Sequence, residues 1–151
     1  MTNHLGIKIR TGAWVVVCDG RKALVLANAG DALFPNLRTV EVREQDNPPT
    51  SAQGTDAPGR VHESTGTARS SVETTDWHEE AERAFLRSII TRLDKALQAG
   101  ETHTIILVAP PRALGVMRPL YTHAINKALA TEVDRDLVKL PVHEIEKMLA
   151  A

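Results

Sequence analysis

The chain has 151 residues, 42% hydrophobic and 25% charged, the size and balance of one soluble domain with a real core. Its formal net charge of -1 excludes a protein that holds nucleic acid by bulk charge, though not one with a local basic spot. The single cysteine, Cys18, excludes an intramolecular disulfide and a cysteine cluster for zinc, and no apolar run approaches the roughly 20 residues of a membrane span. The opening text MTNHLGIKIRTGAW lacks the apolar core of a signal peptide, so the expected location is cytoplasmic.

Trp14–Val17 and Ala23–Ala27 are β-rich runs joined by Cys18-Asp19-Gly20-Arg21-Lys22. Asp-Gly between two apolar runs predicts a hairpin, since both residues tolerate positive φ. A turn at Asn28-Ala29-Gly30-Asp31 leads into Leu37–Glu44, where Leu37, Thr39, Glu41 and Arg43 alternate with Val40 and Val42. The three runs predict an antiparallel meander whose half-exposed third strand lies toward an edge.

Residues 45–75, QDNPPTSAQGTDAPGRVHESTGTARSSVETT, hold only Val61 and Val72 as large apolar residues. So little to bury cannot offset the entropy of ordering, and the segment is expected to be a flexible, functional insert. Its acids Asp46, Asp56, Glu63 and Glu73 against Arg60 and Arg69 show that it is not a polycationic arm.

Asp76 with Glu79 has capping-box spacing and predicts the start of a long helix. Ala81, Phe85, Ile89, Leu93 and Leu97 recur at intervals of four along it, and Gly100 is placed to stop it. Thr104–Ala109 is wholly apolar, as a central strand covered on both faces should be. Pro110-Pro111-Arg112 ends that strand, a short helix runs to about Met117, and Pro119 breaks it. A second short helix over Thr122–Leu129, a strand at Thr131–Val133 and a last helix opened by Pro141 complete the order. The prediction is a single α/β domain over 1–151, with a mixed five-stranded sheet, helices on both faces and a long polar loop after the third strand.

Ligands in α/β sheets favour the carboxyl ends of strands whose connections diverge. That edge would gather Asp19, Gly20 and Arg21 with Pro111, Arg112, Gly115 and Arg118, where arginines could fork onto phosphate or carboxylate. A hairpin turn, a proline stop and solvated arginines explain the same residues, and both readings stay open. In the insert, Pro58-Gly59 is turn chemistry that would display Arg60 at a loop tip, although a solvated turn is the plainer reading.

Asp19 could serve as one acid of a metal-dependent nuclease, but TIILVAPPR brings no carboxylate to the neighbouring strand. The six histidines show no HxxxH or HxH spacing, His78 beside Trp77 reads as a packing or surface residue, and Cys18 as a core residue. Ser64, Ser70 and Ser71 lack nucleophile-elbow glycines, and neither GxGxxG nor GxxxxGK[ST] occurs. No metal or cofactor is expected, and catalysis ranks below binding.

Three segments together resemble a known family: WVVVCDGRKALVL, then QGTDAPGRVHES with RSSVETTDWH, then ILVAPPRALGVMRPL continuing into EVDRDLVKLPVHEIEKML. They are similar to the bacterial host-attachment proteins, described as required for attachment to host cells, over about Trp14 to Leu149. That family in turn resembles the central domain of archaeal and eukaryotic class-I peptide-chain release factors and of Pelota. The resemblance implies a three-layer ribonuclease-H-like fold. In release factors the equivalent loop carries Gly-Gly-Gln, which helps water attack peptidyl-tRNA. Here the loop has Pro58-Gly59-Arg60 and no Gly-Gly-Gln.

The leading expectation is therefore a non-catalytic module that engages the ribosome, structured RNA or another phosphate-rich partner. Arg60 and Arg69 on the loop, with Arg21, Arg112 and Arg118 at the strand edge, would contact phosphate. Two other readings stay open: a release-factor-like peptidyl-tRNA hydrolase or other hydrolase using Asp19, and a protein-interaction factor in cell-surface attachment.

Overall fold

A computed structural model describes residues 5–45 and 67–150, with side chains of the second stretch described from residue 77 onward. Three aliphatic runs pair as an antiparallel meander: β1 (Trp14–Cys18), β2 (Lys22–Asn28) and β3 (Leu37–Glu44). β4 (Ile105–Val108) lies parallel to β1, with Trp14 opposite Ile105, and β5 (Leu129–Val133) lies parallel to β4. The sheet order is β3-β2-β1-β4-β5, so β3 is an edge strand as expected. Every residue of β1 and β4 is buried, because both faces of the central strands are covered.

Helix α1 (Thr67–Ala99) supplies one cover. Its Phe85, Leu86, Ile89, Ile90 and Leu93 pack on Val16, Cys18, Val25 and Leu107, joined by α2 (Pro111–Met117) and α3 (His123–Ala128). The other face, with Val15, Val17, Leu24, Leu26, Ile106 and Val108, packs on Ile145 and Leu149 of α4 (Val142–Ala150) and on Ile9, Leu137 and Val138. This is the three-layer α/β arrangement that the resemblance implies. Leu5 and Ile7 donate backbone N–H groups to the Met148 and Leu149 carbonyls at 2.8 and 2.7 Å, satisfying the open end of α4. Gly100, with φ 77°, stops α1 in a Schellman arrangement: its N–H reaches the Leu97 carbonyl and that of Glu101 the Ala96 carbonyl. Thr122 caps α3 by accepting from the Ile125 N–H at 3.1 Å.

Four expectations need correction. First, α1 begins at Thr67, so Asp76 and Glu79 lie inside the helix and residues 67–75 of the expected flexible insert are helical. That stretch, TARSSVETT, holds no glycine or proline, and extending an existing helix costs far less than nucleating one. Second, Gln45 belongs to the folded core: its backbone N–H donates to the Arg21 carbonyl and its Nε2 to the Gly20 carbonyl, both at 2.8 Å.

Third, neither Asp19 nor Gly20 takes positive φ. The turn closes instead through Asp19 Oδ1, which accepts from the Arg21 and Lys22 N–H groups at 2.8 and 2.9 Å. Fourth, a register shift between Val25 and Leu26 breaks the alternation of β3. Thr39 stands opposite Leu26 and Val42 opposite Leu24, on the face that α4 packs against, while Glu41 and Arg43 join the α1 face. Smaller differences are that β5 starts at Leu129 and that Pro141 precedes α4, its carbonyl accepting from Ile145 at 3.1 Å.

Candidate functional site

Parallel pairing of β1 and β4 brings Asp19-Gly20-Arg21 and Pro110-Pro111-Arg112 to one edge of the sheet. Glu82 of α1 lies between them. A Cβ on Gly20 would stand 2.8 Å from Glu82 Cγ, so any side chain there would displace the Glu82 arm. Arg112, at the first turn of α2, reaches Glu82 at 3.4 Å and Glu79 at 3.8 Å. Its side chain is 69% exposed, so these long contacts are weak and another anion can compete for the guanidinium. Pro111 opens α2 and Gly115 faces open space.

Arg118 is committed elsewhere. Its Nε and Nη2 donate to Glu132 Oε1 on β5 at 2.9 and 2.7 Å, and Tyr121 Oη donates to Glu132 Oε2 at 2.6 Å. The Arg118 hydrogen bond, seconded by that of Tyr121, holds the Glu132 carboxyl below the usual carboxylate range. Burial first, and the Glu132 bond second, push the Tyr121 phenol up. This cluster fastens β5 to the segment after α2. Cys18 is wholly buried, and burial, then the nearby Asp19 charge, push its thiol up to about 12.

A second feature was not foreseen from the sequence. Between edge strand β3 and α1 runs an open groove made of two adjoining cavities of about 440 and 400 Å³. Both are lined by Arg43, Ala84 and Ser88; the first adds Glu44, Gln45, Ala81 and Phe85, the second Arg87, Thr91, Arg92 and Lys95. Ala81, Ala84 and Ser88 are short, and that absence of bulk opens the channel. Glu41 bonds both Arg43 and Arg92, and those bonds, Arg43's foremost, hold its carboxyl below the usual range. Arg92 also reaches Glu101 Oε1 at 3.0 Å and lies 5.3 Å above the Trp14 ring. Arg87 and Lys95 are exposed, and among the described residues no hydrogen bond or ion pair holds either side chain. The groove therefore combines a fixed inner pair of arginines with a free outer pair of cations, and ends at Gln45.

Of the sequence-stated binding residues, Asp19, Gly20, Arg21, Pro111 and Arg112 share the carboxyl edge, and Arg118 is turned onto Glu132. Pro58, Gly59 and Arg60 lie outside the described residues, and Arg69 is placed only within the backbone of α1. The stripe Arg87-Thr91-Lys95 at four-residue spacing was the sequence signal for the groove, but it reads equally as a solvated helix face. Among the described residues no three of His, Cys, Asp and Glu come together as metal ligands, and no helix is long and apolar enough to cross a membrane. A family model described as bacterial archaeo-eukaryotic release factor family 12 matches residues 12–149. No curated protein matches the chain.

Proposed function

The chain belongs to bacterial archaeo-eukaryotic release factor family 12, and from that premise we propose a non-catalytic module that engages the ribosome or structured RNA through phosphate contacts. The observation that carries this reading is the β3–α1 groove, with Arg87 and Lys95 unengaged among the described residues beside the arginines fixed by Glu41. Unengaged cations meet phosphate without first breaking an internal pair, and counterion release supplies the affinity. Gln45, the last described residue before the insert, lines this groove, and Arg60 of the insert and the exposed Arg112 at the carboxyl edge are the further phosphate contacts of this reading.

Peptidyl-tRNA hydrolysis is not part of the reading, because the chain has Pro58-Gly59-Arg60 in the insert and nowhere Gly-Gly-Gln. Asp19, the acid a hydrolase would need, spends its Oδ1 on closing the hairpin turn. Co-sedimentation with ribosomes across a salt series tests the proposal. Wild type should pellet in a salt-sensitive way. Arg87→Ala with Lys95→Ala should weaken binding and flatten the salt slope by about 1.4–1.8, two phosphate contacts at roughly 0.7–0.9 each. Arg60→Ala with Arg112→Ala should weaken it as well. Equal sedimentation of all variants, or none by wild type, rejects the reading.

A further inference from the structure

The face of α1 that lines the β3–α1 groove continues toward the start of the helix, to Trp77. Lys95 follows Trp77 by 18 positions, which at about 3.6 residues per turn is five whole turns and at about 1.5 Å per residue roughly 27 Å. The two side chains therefore leave α1 along one line, and Ala84 and Ser88, common to both cavities, fall within about 20° of it. Ala84, Ser88 and Thr91 are short, so no bulky side chain on that line separates the indole from the ammonium group. Trp77 is 36% exposed, and its ring meets the His78 imidazole edge-on, with centroids 5.3 Å apart and an interplanar angle of 63°. Trp14, in contrast, is buried beneath Arg92. The groove thus carries an accessible aromatic ring at one end and the unengaged cations Arg87 and Lys95 toward the other.

We infer that Trp77 stacks on an unpaired base of a single-stranded RNA whose phosphates run along Arg87 and Lys95, an inference that rests on the groove reading and narrows it. Single strands are held without sequence readout by two elements together: cations that follow the phosphates and an aromatic face that takes a base. Both are present here on one line of one helix. A length of roughly 27 Å matches about eight phosphates at the ~3.4 Å spacing of a stacked strand, so one strand reaches both ends. A duplex satisfies only half of the site. Its phosphates can meet the cations, but its base faces are covered by their neighbours and leave the indole nothing to stack on. Every base has a face, so the site discriminates unpaired from paired RNA and not one base from another.

Fluorescence anisotropy with a labelled RNA dodecamer of mixed sequence, alone and annealed to its complement, tests this on the full chain at low salt. The single strand should bind more tightly than the duplex and quench the tryptophan emission. Trp77→Ala should lose roughly 5- to 150-fold in affinity for the single strand, together with the quenching. Its salt slope should stay at the wild-type value, because an indole releases no counterion. Trp77→Phe keeps an aromatic face and should retain most of the affinity, which separates stacking from a loss of fold. Two results overturn the inference while leaving the groove reading in place. One is a duplex bound as tightly as the single strand. The other is equal single-strand affinity for wild type and Trp77→Ala while Arg87→Ala with Lys95→Ala still weakens it. Binding of neither RNA by wild type overturns it as well, and ribosome co-sedimentation then judges the groove reading by itself.

Discussion

Asn28→Ala should be among the most damaging single substitutions in this protein, although Asn28 sits at the end of a strand and touches no groove. The amide bonds three carbonyls and two backbone N–H groups in a site with 1% exposure. Removing it leaves the buried Ile9 carbonyl and the part-buried Gly30 and Asn36 N–H groups short of partners, and a buried orphan costs about 1–3 kcal/mol, a part-buried one toward the lower end. Taking the lower half of that range, about 1–2 kcal/mol for each of three groups, gives a loss of about 3–6 kcal/mol, a large part of the ~5–15 kcal/mol typical of a domain. In urea, with a slope of about 2 kcal/mol per molar, the unfolding midpoint should fall by roughly 2 M. Asn28→Asp tests the same logic with one atom changed. It keeps an acceptor for the two N–H groups but turns an oxygen toward three carbonyls, so it should be at least as unstable. If Asn28→Ala moves the midpoint by less than about 0.5 M at unchanged slope, the bonds counted above do not brace the β2–β3 connection.

Gly30→Ala should cost about 2 kcal/mol or more, since the new methyl meets backbone at Phe34 and Asn36, whereas Gly20→Ala should cost about 1 kcal/mol or less because Glu82 can swing aside. Urea unfolding of the two variants side by side should reproduce that order. Glu132→Gln should be less stable than wild type at neutral pH, with the gap closing in acid. The folded-state pKa of Glu132 is lowered by Arg118, so its stabilisation is present above the ordinary carboxylate pKa and is lost as pH falls through the lowered one. A gap that is constant from pH 7 to pH 3 would contradict the pairing. Cys18, buried with its thiol raised to about 12, should resist a disulfide reagent at pH 8 in the native protein and react at once in denaturant. Rapid native labelling would show that β1 opens far more readily than its burial implies.

Element order was readable because periodicity is strong where burial is strong. The four-residue spacing of Phe85, Ile89 and Leu93, the unbroken run at Ile105–Val108 and the stop at Gly100 all survive in the folded chain. Boundaries and faces failed where local chemistry admits two answers. Asp76 with Glu79 has cap spacing, but so does many a helix interior, and a preceding stretch free of glycine and proline lets α1 extend to Thr67. The β3 bulge depends on pairing with β2, so no period within β3 alone could announce it. The groove was hidden for a related reason. Arg43, Ala84 and Lys95 are unremarkable separately, and only the bulge that turns Glu41 and Arg43 toward α1 makes them neighbours. The Asp-Gly turn was located correctly by a partly wrong reason: its glycine leaves room for the Glu82 side chain and does not supply positive φ.

The parallel seam of the sheet sets Trp14 against Ile105, so β2, β3, the insert and α1 all lie within one covalent excursion of about 90 residues. Chain-closure entropy for so long an excursion changes slowly with length: deleting residues 46–66 would alter it by only about 0.2 kcal/mol. The architecture thus leaves the connection after Gln45 free to lengthen, shorten or change its chemistry without taxing the parallel pairing of β1 with β4. Diversity in what such domains touch can accumulate there at almost no thermodynamic penalty to the scaffold.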